Sequence, residues 1–160
     1  MRLLRRTPKQ FLFQLSNREH RTLAGMVAHY PLVPPAHHRI GNTPRALPDA
    51  DTQQLLDEAL AEQREANRKQ VATLLAEPHC RPAADQGWEL GLTPAQLECL
   101  LQVLNDVRVG SWLLLGEPAA GKLPKLTPKN LRYLAALEVC GLFQSFLLEA
   151  LGVEQSPEWH

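Results

Sequence analysis

Proline placement constrains this chain more than any other feature. Thirteen of its 160 residues are proline. Proline lacks the amide hydrogen that an interior helical position needs, and its ring clashes with the preceding turn. Continuous helix is therefore excluded across Pro31–Pro48, which also holds Pro34, Pro35 and Pro44, and at Pro78. It is excluded again across Glu117–Leu126, which contains Pro118, Gly121 and Pro124. Pro94 and Pro128 are different, because each follows a threonine and sits where a first helical residue tolerates proline.

Four helical windows remain. The first opens at Ser16, where Ser16 and Glu19 form a capping box, continues through Leu23, Met26 and Val27, and must stop before Pro31. The second runs from about Asp51 to Glu77, is built of good helix formers and ends at Pro78. Its middle, Glu62–Gln70, is polar all round, so it bridges two packing sites or projects from the body. The third opens on a second capping box, Thr93-Pro94-Ala95-Gln96, carries Leu97, Leu100, Leu101, Leu104 and Val107, and closes near Leu115 at Gly116. The fourth starts at Thr127-Pro128 and reaches about Leu151, with Gly152 as its stop.

Two short apolar runs, Gln10–Leu15 and Trp88–Leu92, each precede a capping box and read as strands that pair into a ribbon. Such a ribbon is marginal alone and needs helices packed over it. The expected fold is mainly α: an all-helical bundle of about four principal helices in one domain, residues 1–160, with a small two-stranded β element. The loop 31–48 is long for a compact domain, and loops of that kind commonly carry function. The last helix is apolar on more than one face, through Leu131, Leu134, Leu137, Val139, Leu142, Phe143, Phe146, Leu147 and Leu151. Either its neighbours wrap it or it forms a homodimer interface.

The apolar fraction of 44% is ordinary, and a net charge of zero argues against a general nucleic-acid or membrane binder. The charge is unevenly spread. Residues 1–50 hold eight Lys and Arg against Glu19 and Asp49, a net of +6. Arg2, Arg5, Arg6 and Lys9 are thus candidate anion contacts, or else they offset the acidic middle of the chain. The three cysteines, Cys80, Cys99 and Cys140, cannot all pair and show no close spacing, which points to a reducing, cytoplasmic setting. MRLLRRTPKQFLFQL fails as a signal peptide, because its apolar run is short and no cleavage site follows. No stretch reads as long or clean enough to span a bilayer.

The segment Trp112–Lys122, WLLLGEPAAGK, holds most of a P-loop pattern. Leu123 follows the lysine where a hydroxyl must hold Mg²⁺, and the next helix start is Thr127. Trp112–Leu115 also extends the stripe begun at Leu97, so the segment reads as a helix end and a linker, with no nucleotide site. His37-His38, and His79 beside Cys80, match no zinc spacing, so no metal or cofactor is expected. Ser111, Ser145 and Cys99 belong to no nucleophile motif. The long loops leave no helix-turn-helix.

One polar group stands out: Asn105, Asp106 and Arg108 inside an apolar helix, with Trp112 one turn on. Asn and Asp are poor mid-helix residues. They either fix helix register and cap a loop or form a recognition surface. The surrounding run from Leu90 to Gly116, LxLTPAQLxxLLxVLNDVRVxxxxLLG, resembles an uncharacterised bacterial family of small helical proteins with a Leu-Asn-Asp-Leu-Arg-like motif. Gly110-Ser111-Trp112 departs from the Leu-Gly-x-Arg of that pattern. The resemblance implies no activity. It implies a protein-handling or regulatory context, since some of the family's genes lie beside that of the Clp protease adaptor. A non-enzymatic interaction or regulatory protein is the favoured class. The alternatives are a nucleic-acid-binding regulator using the basic N-terminal segment and an enzyme whose site assembles only in three dimensions.

Overall fold

The computed structural model describes residues 1–34 and 49–152. Most of the proline-rich loop, including His37 and His38, and the segment 153–160 lie outside the described residues. In chain order the elements are β1 (Arg2–Arg6), β2 (Phe11–Leu15), α1 (Asn17–Val27), α2 (Ala50–Leu74), β3 (Cys80–Ala83), β4 (Gly87–Leu92), α3 (Pro94–Leu114) and α4 (Pro128–Leu151).

The helices start where the sequence placed them, and for the reason given. Ser16 and Thr93 each accept from the backbone N–H of the third helical residue, while Glu19 and Gln96 reach back to close both capping boxes. Thr127 caps α4 by accepting from Asn130, and Gly152 ends it in the left-handed region at φ 75°.

The β element is larger than expected and changes the fold class. The strands form one four-stranded antiparallel sheet in the order β1-β2-β4-β3. The fold is therefore α+β, and both the mainly-α expectation and the all-helical bundle with a two-stranded ribbon are overturned. The ribbon itself forms: β2 and β4 pair from Phe11↔Leu92 to Leu15↔Trp88 and make the centre of the sheet. The missed strands are the two edges. Every residue of β1, RLLRR, is exposed, so no alternation of apolar and polar groups marks it. β3, CRPA, has only four residues and contains proline, which a sheet accepts only at an edge or bulge. Each edge owes its strand state to the neighbour it pairs with.

One face of the sheet is the core face. Phe11, Phe13, Leu15, Leu90, Leu92 and Cys80 are buried there with Leu97, Leu100, Val103, Leu104 and Val107 of α3. The α3 helix packs against all three other helices, and most extensively against α4. Of α2, only Asn67, Val71 and Leu74 are buried, all in its C-terminal half. The opposite sheet face, set by the register, carries Arg2, Arg5, Leu12, Gln14, Arg81 and Glu89, all exposed or half-buried.

The reading of the chain as free of bilayer-length segments also needs correction. An 18-residue window of α4 has a mean hydropathy of 1.6, long and apolar enough to cross a membrane by length and composition. In the fold this helix lies along α3 with Ala136, Cys140, Phe143, Leu147 and Ala150 buried.

Candidate functional site

The four residues singled out on α3 do not converge. Asp106 faces the segment that follows α1. Its Oδ1 accepts from the backbone N–H of Leu32 at 2.6 Å and of Val33 at 3.2 Å. Arg64 of α2 completes the anchor by donating to the Val33 carbonyl at 2.7 Å. Nearby, the buried Asn67 side chain donates to the Tyr30 hydroxyl and accepts from Gln63 and the Cys99 thiol. Burial pushes the Tyr30 hydroxyl up from its ordinary value. Gly110 lets this segment approach, since a Cβ there would stand 2.7 Å from Leu32 side-chain atoms and 2.8 Å from its backbone carbon.

Asn105 and Arg108 face α4 instead. Gln144 donates to Asn105 Oδ1 and accepts from Arg108, both at 3.4 Å, and the guanidinium passes over Gly141. Trp112 is at the far end of α3, where its indole N–H donates to the Pro118 carbonyl at 3.2 Å. The group thus ties α3 to a loop, to α4 and to its own C-terminal turn. Trp112–Leu114 is helical, and the next helix begins at Pro128.

The basic N-terminal residues lie along and beyond the edge strand. The register slips between Leu3 and Arg5. Leu3 opposite Phe13 and Arg6 opposite Phe11 therefore face the helices, while Arg2 opposite Gln14 and Arg5 opposite Leu12 face away. Without that bulge, Arg2 and Arg5 would fall on opposite faces. Arg6 lies over the Phe11 ring at 5.8 Å and donates to the Leu151 carbonyl at the end of α4. Arg2 donates to Gln14, and Lys9 is exposed in the β1–β2 turn.

What the fold assembles is a cleft that the sequence did not show. It runs between the β1 edge and α4 and continues toward α1. One part, about 350 Å³, is lined by Met1, Arg2, Leu3, Phe13, Phe146 and Glu149. A second, about 200 Å³, lies against Arg18, Thr22, Val139, Leu142 and Phe146. Met1 sits where the parts meet and donates through its amino group to Glu19. Burial works to raise the Glu19 carboxyl, but its bonds to Met1 and Ser16 outweigh that and hold it below its ordinary value. The apolar surplus of α4 is visible in the sequence; its neighbour Leu3 is not, because RLLRR carries no alternation that marks a strand.

Elsewhere, His20 stacks on Trp88 with ring centroids 3.9 Å apart, and its buried Nε2 has no hydrogen-bond partner among the described residues. Burial lowers its pKa. The three cysteines are free and buried, and burial pushes Cys140 up to about 11. Among the described residues, no three His, Cys, Asp or Glu side chains are grouped as a metal site would require. No family model matches the chain, and neither a curated protein nor a solved structure shows significant similarity to it.

Proposed function

We propose that this chain is a non-enzymatic protein-interaction or regulatory protein that docks a partner in the cleft between β1 and α4. The observation that carries the reading is the pair Leu142 and Phe146, which stay 62% and 45% exposed on the cleft wall. Leu3 adds to the same apolar surface at 38%. Contiguous exposed apolar surface beside a cleft is a mark of an interaction site. The free buried thiols support a cytoplasmic setting. The resemblance of Leu90–Gly116 to a family found in a protein-handling context is in keeping with this reading.

The test is capture of partners by the tagged full chain from lysate of its own cells, with and without nuclease. A partner that survives nuclease and is lost with Leu142→Glu and Phe146→Glu supports the proposal. A partner set that disappears with nuclease moves the function to nucleic acid. Self-association, read by sedimentation velocity and abolished by the same changes, replaces the hetero-partner with a homodimer through the last helix.

A further inference from the structure

The cleft has one wall that a generic apolar groove lacks, the edge of a sheet. β1 pairs only with β2, so the backbone groups along its other side have no ladder partner among the described residues. An unpaired edge is a template for an added strand. We propose that β1 receives an extended segment of a partner protein as a fifth strand, and that this segment alternates apolar and acidic residues. The proposal rests on the reading of the cleft as a protein-docking surface and names the chemistry of its occupant.

Geometry sets the alternation. A strand added beside β1 lies about 4.8 Å away, and its side chains point alternately to the two sheet faces. On the helix side they meet the cleft of about 350 Å³ between Leu3, Phe13, Phe146 and Ala150. Those positions call for apolar groups. Glu149 shares that part of the cleft with Arg2 and Met1, so it offers no clear excess of positive charge to draw an acidic residue there. On the other side, the occupant's side chains run beside Arg2 and Arg5, which the bulge places on one face. Both are exposed, and neither pairs with a carboxylate among the described residues. Carboxylates at those positions gain charge-assisted hydrogen bonds.

The same charges argue against other occupants. A second copy pairing through β1 would bring the three arginines of each edge strand, Arg2, Arg5 and Arg6, beside those of the other with no carboxylate on either strand, and like charges brought together across a strand pair destabilise it. A nucleic acid strand would find phosphate contacts but nothing to stack on. The outer face between the arginines offers Leu12, Gln14 and Glu89, with no aromatic ring and one carboxylate.

The experiment is fluorescence anisotropy on the full chain with a labelled synthetic peptide of alternating valine and glutamate, about eight residues long so as to overhang β1. Three further probes are a valine–lysine version, a valine–glutamate version N-methylated at alternate amides, and labelled oligothymidylate. The valine–glutamate peptide should bind about tenfold or more tighter than the lysine version. N-methylation should abolish binding by removing the ladder hydrogen bonds. The double change Arg2→Glu and Arg5→Glu, with a thermal melt matching the parent, should reverse the preference toward lysine. No peptide binding, equal binding of both charges, indifference to N-methylation, or binding of the oligonucleotide alone would each overturn strand addition. If strand addition fails while Leu142→Glu and Phe146→Glu still strip a captured partner, the docking surface stands and only its occupant changes. If those changes also leave capture intact, the docking reading falls with it.

Discussion

Single side chains in this protein act mostly as ties, and their worth follows from what each would leave unsatisfied. Asp106 holds two backbone N–H groups of the segment after α1. Asp106→Ala removes the acceptor from a partly buried site and should cost about 1–3 kcal/mol, read as a lower urea midpoint at unchanged m. A drop below about 0.5 kcal/mol would show that water replaces the carboxylate. Gly110→Ala tests the same junction from the other side. Its new methyl group meets backbone as well as side chain, so a loss of about 1–3 kcal/mol is expected. His20 adds a pH response. Its folded pKa lies below the ordinary 6.5, so the unfolded chain takes the proton first as pH falls. Stability should decline as pH drops below about 6.5, levelling once His20 protonates in the folded state. Glu19 acts further down: its contribution is present above its ordinary 4.5 and is lost as pH falls through the lowered folded value. Urea melts between neutral and mildly acid pH should show the first slope in the parent and not in His20→Phe, which keeps the stack without the titrating nitrogen.

At the scale of elements, helices and edge strands carry different amounts of local information. The capping boxes at Ser16 and Thr93 are local chemistry, complete within a few residues, and were legible for that reason. Thr93→Ala should cost about 1 kcal/mol in chemical denaturation, while Thr93→Ser should cost almost nothing. The α4 helix separates two roles on one element. Phe143 is buried and Phe146 is 45% exposed, so Phe143→Ala should cost about 3–5 kcal/mol and Phe146→Ala much less. Equal losses would mean that Phe146 serves the fold and not a partner. β1 shows the opposite of a cap. Its residues do not specify a strand, and the bulge that aims Arg2 and Arg5 outward exists only against β2.

For the whole molecule, the two-layer arrangement decides which surfaces are free. Helices cover one sheet face, so the basic residues of β1 and Arg81 of β3 stay on the perimeter and outer face. The three thiols all lie in the core. In the folded protein an alkylating reagent at neutral pH should modify them only as fast as the fold opens, and urea should release them together. Prompt modification of one thiol in buffer would contradict the packing around it. The apolar excess of α4 has two uses in this architecture. One stripe seals against α3, and Val139, Leu142 and Phe146 line the β1 cleft.

The sequence alone determined the four helices, the caps at Ser16, Thr93 and Thr127, the proline breaks at Pro78 and in the linker after α3, and the pairing of the two inner strands. Each depends on periodicity or on hydrogen bonds closed within a turn. It also flagged Asn105, Asp106, Arg108 and Trp112 as a polar group in an apolar helix. Only tertiary structure decided that they turn to three different neighbours, because direction around a helix has meaning only once those neighbours are placed. The edge strands, the bulge and the cleft likewise came from tertiary pairing. A five-residue exposed strand holds no burial pattern of its own, and its conformation follows from the hydrogen bonds that β2 offers.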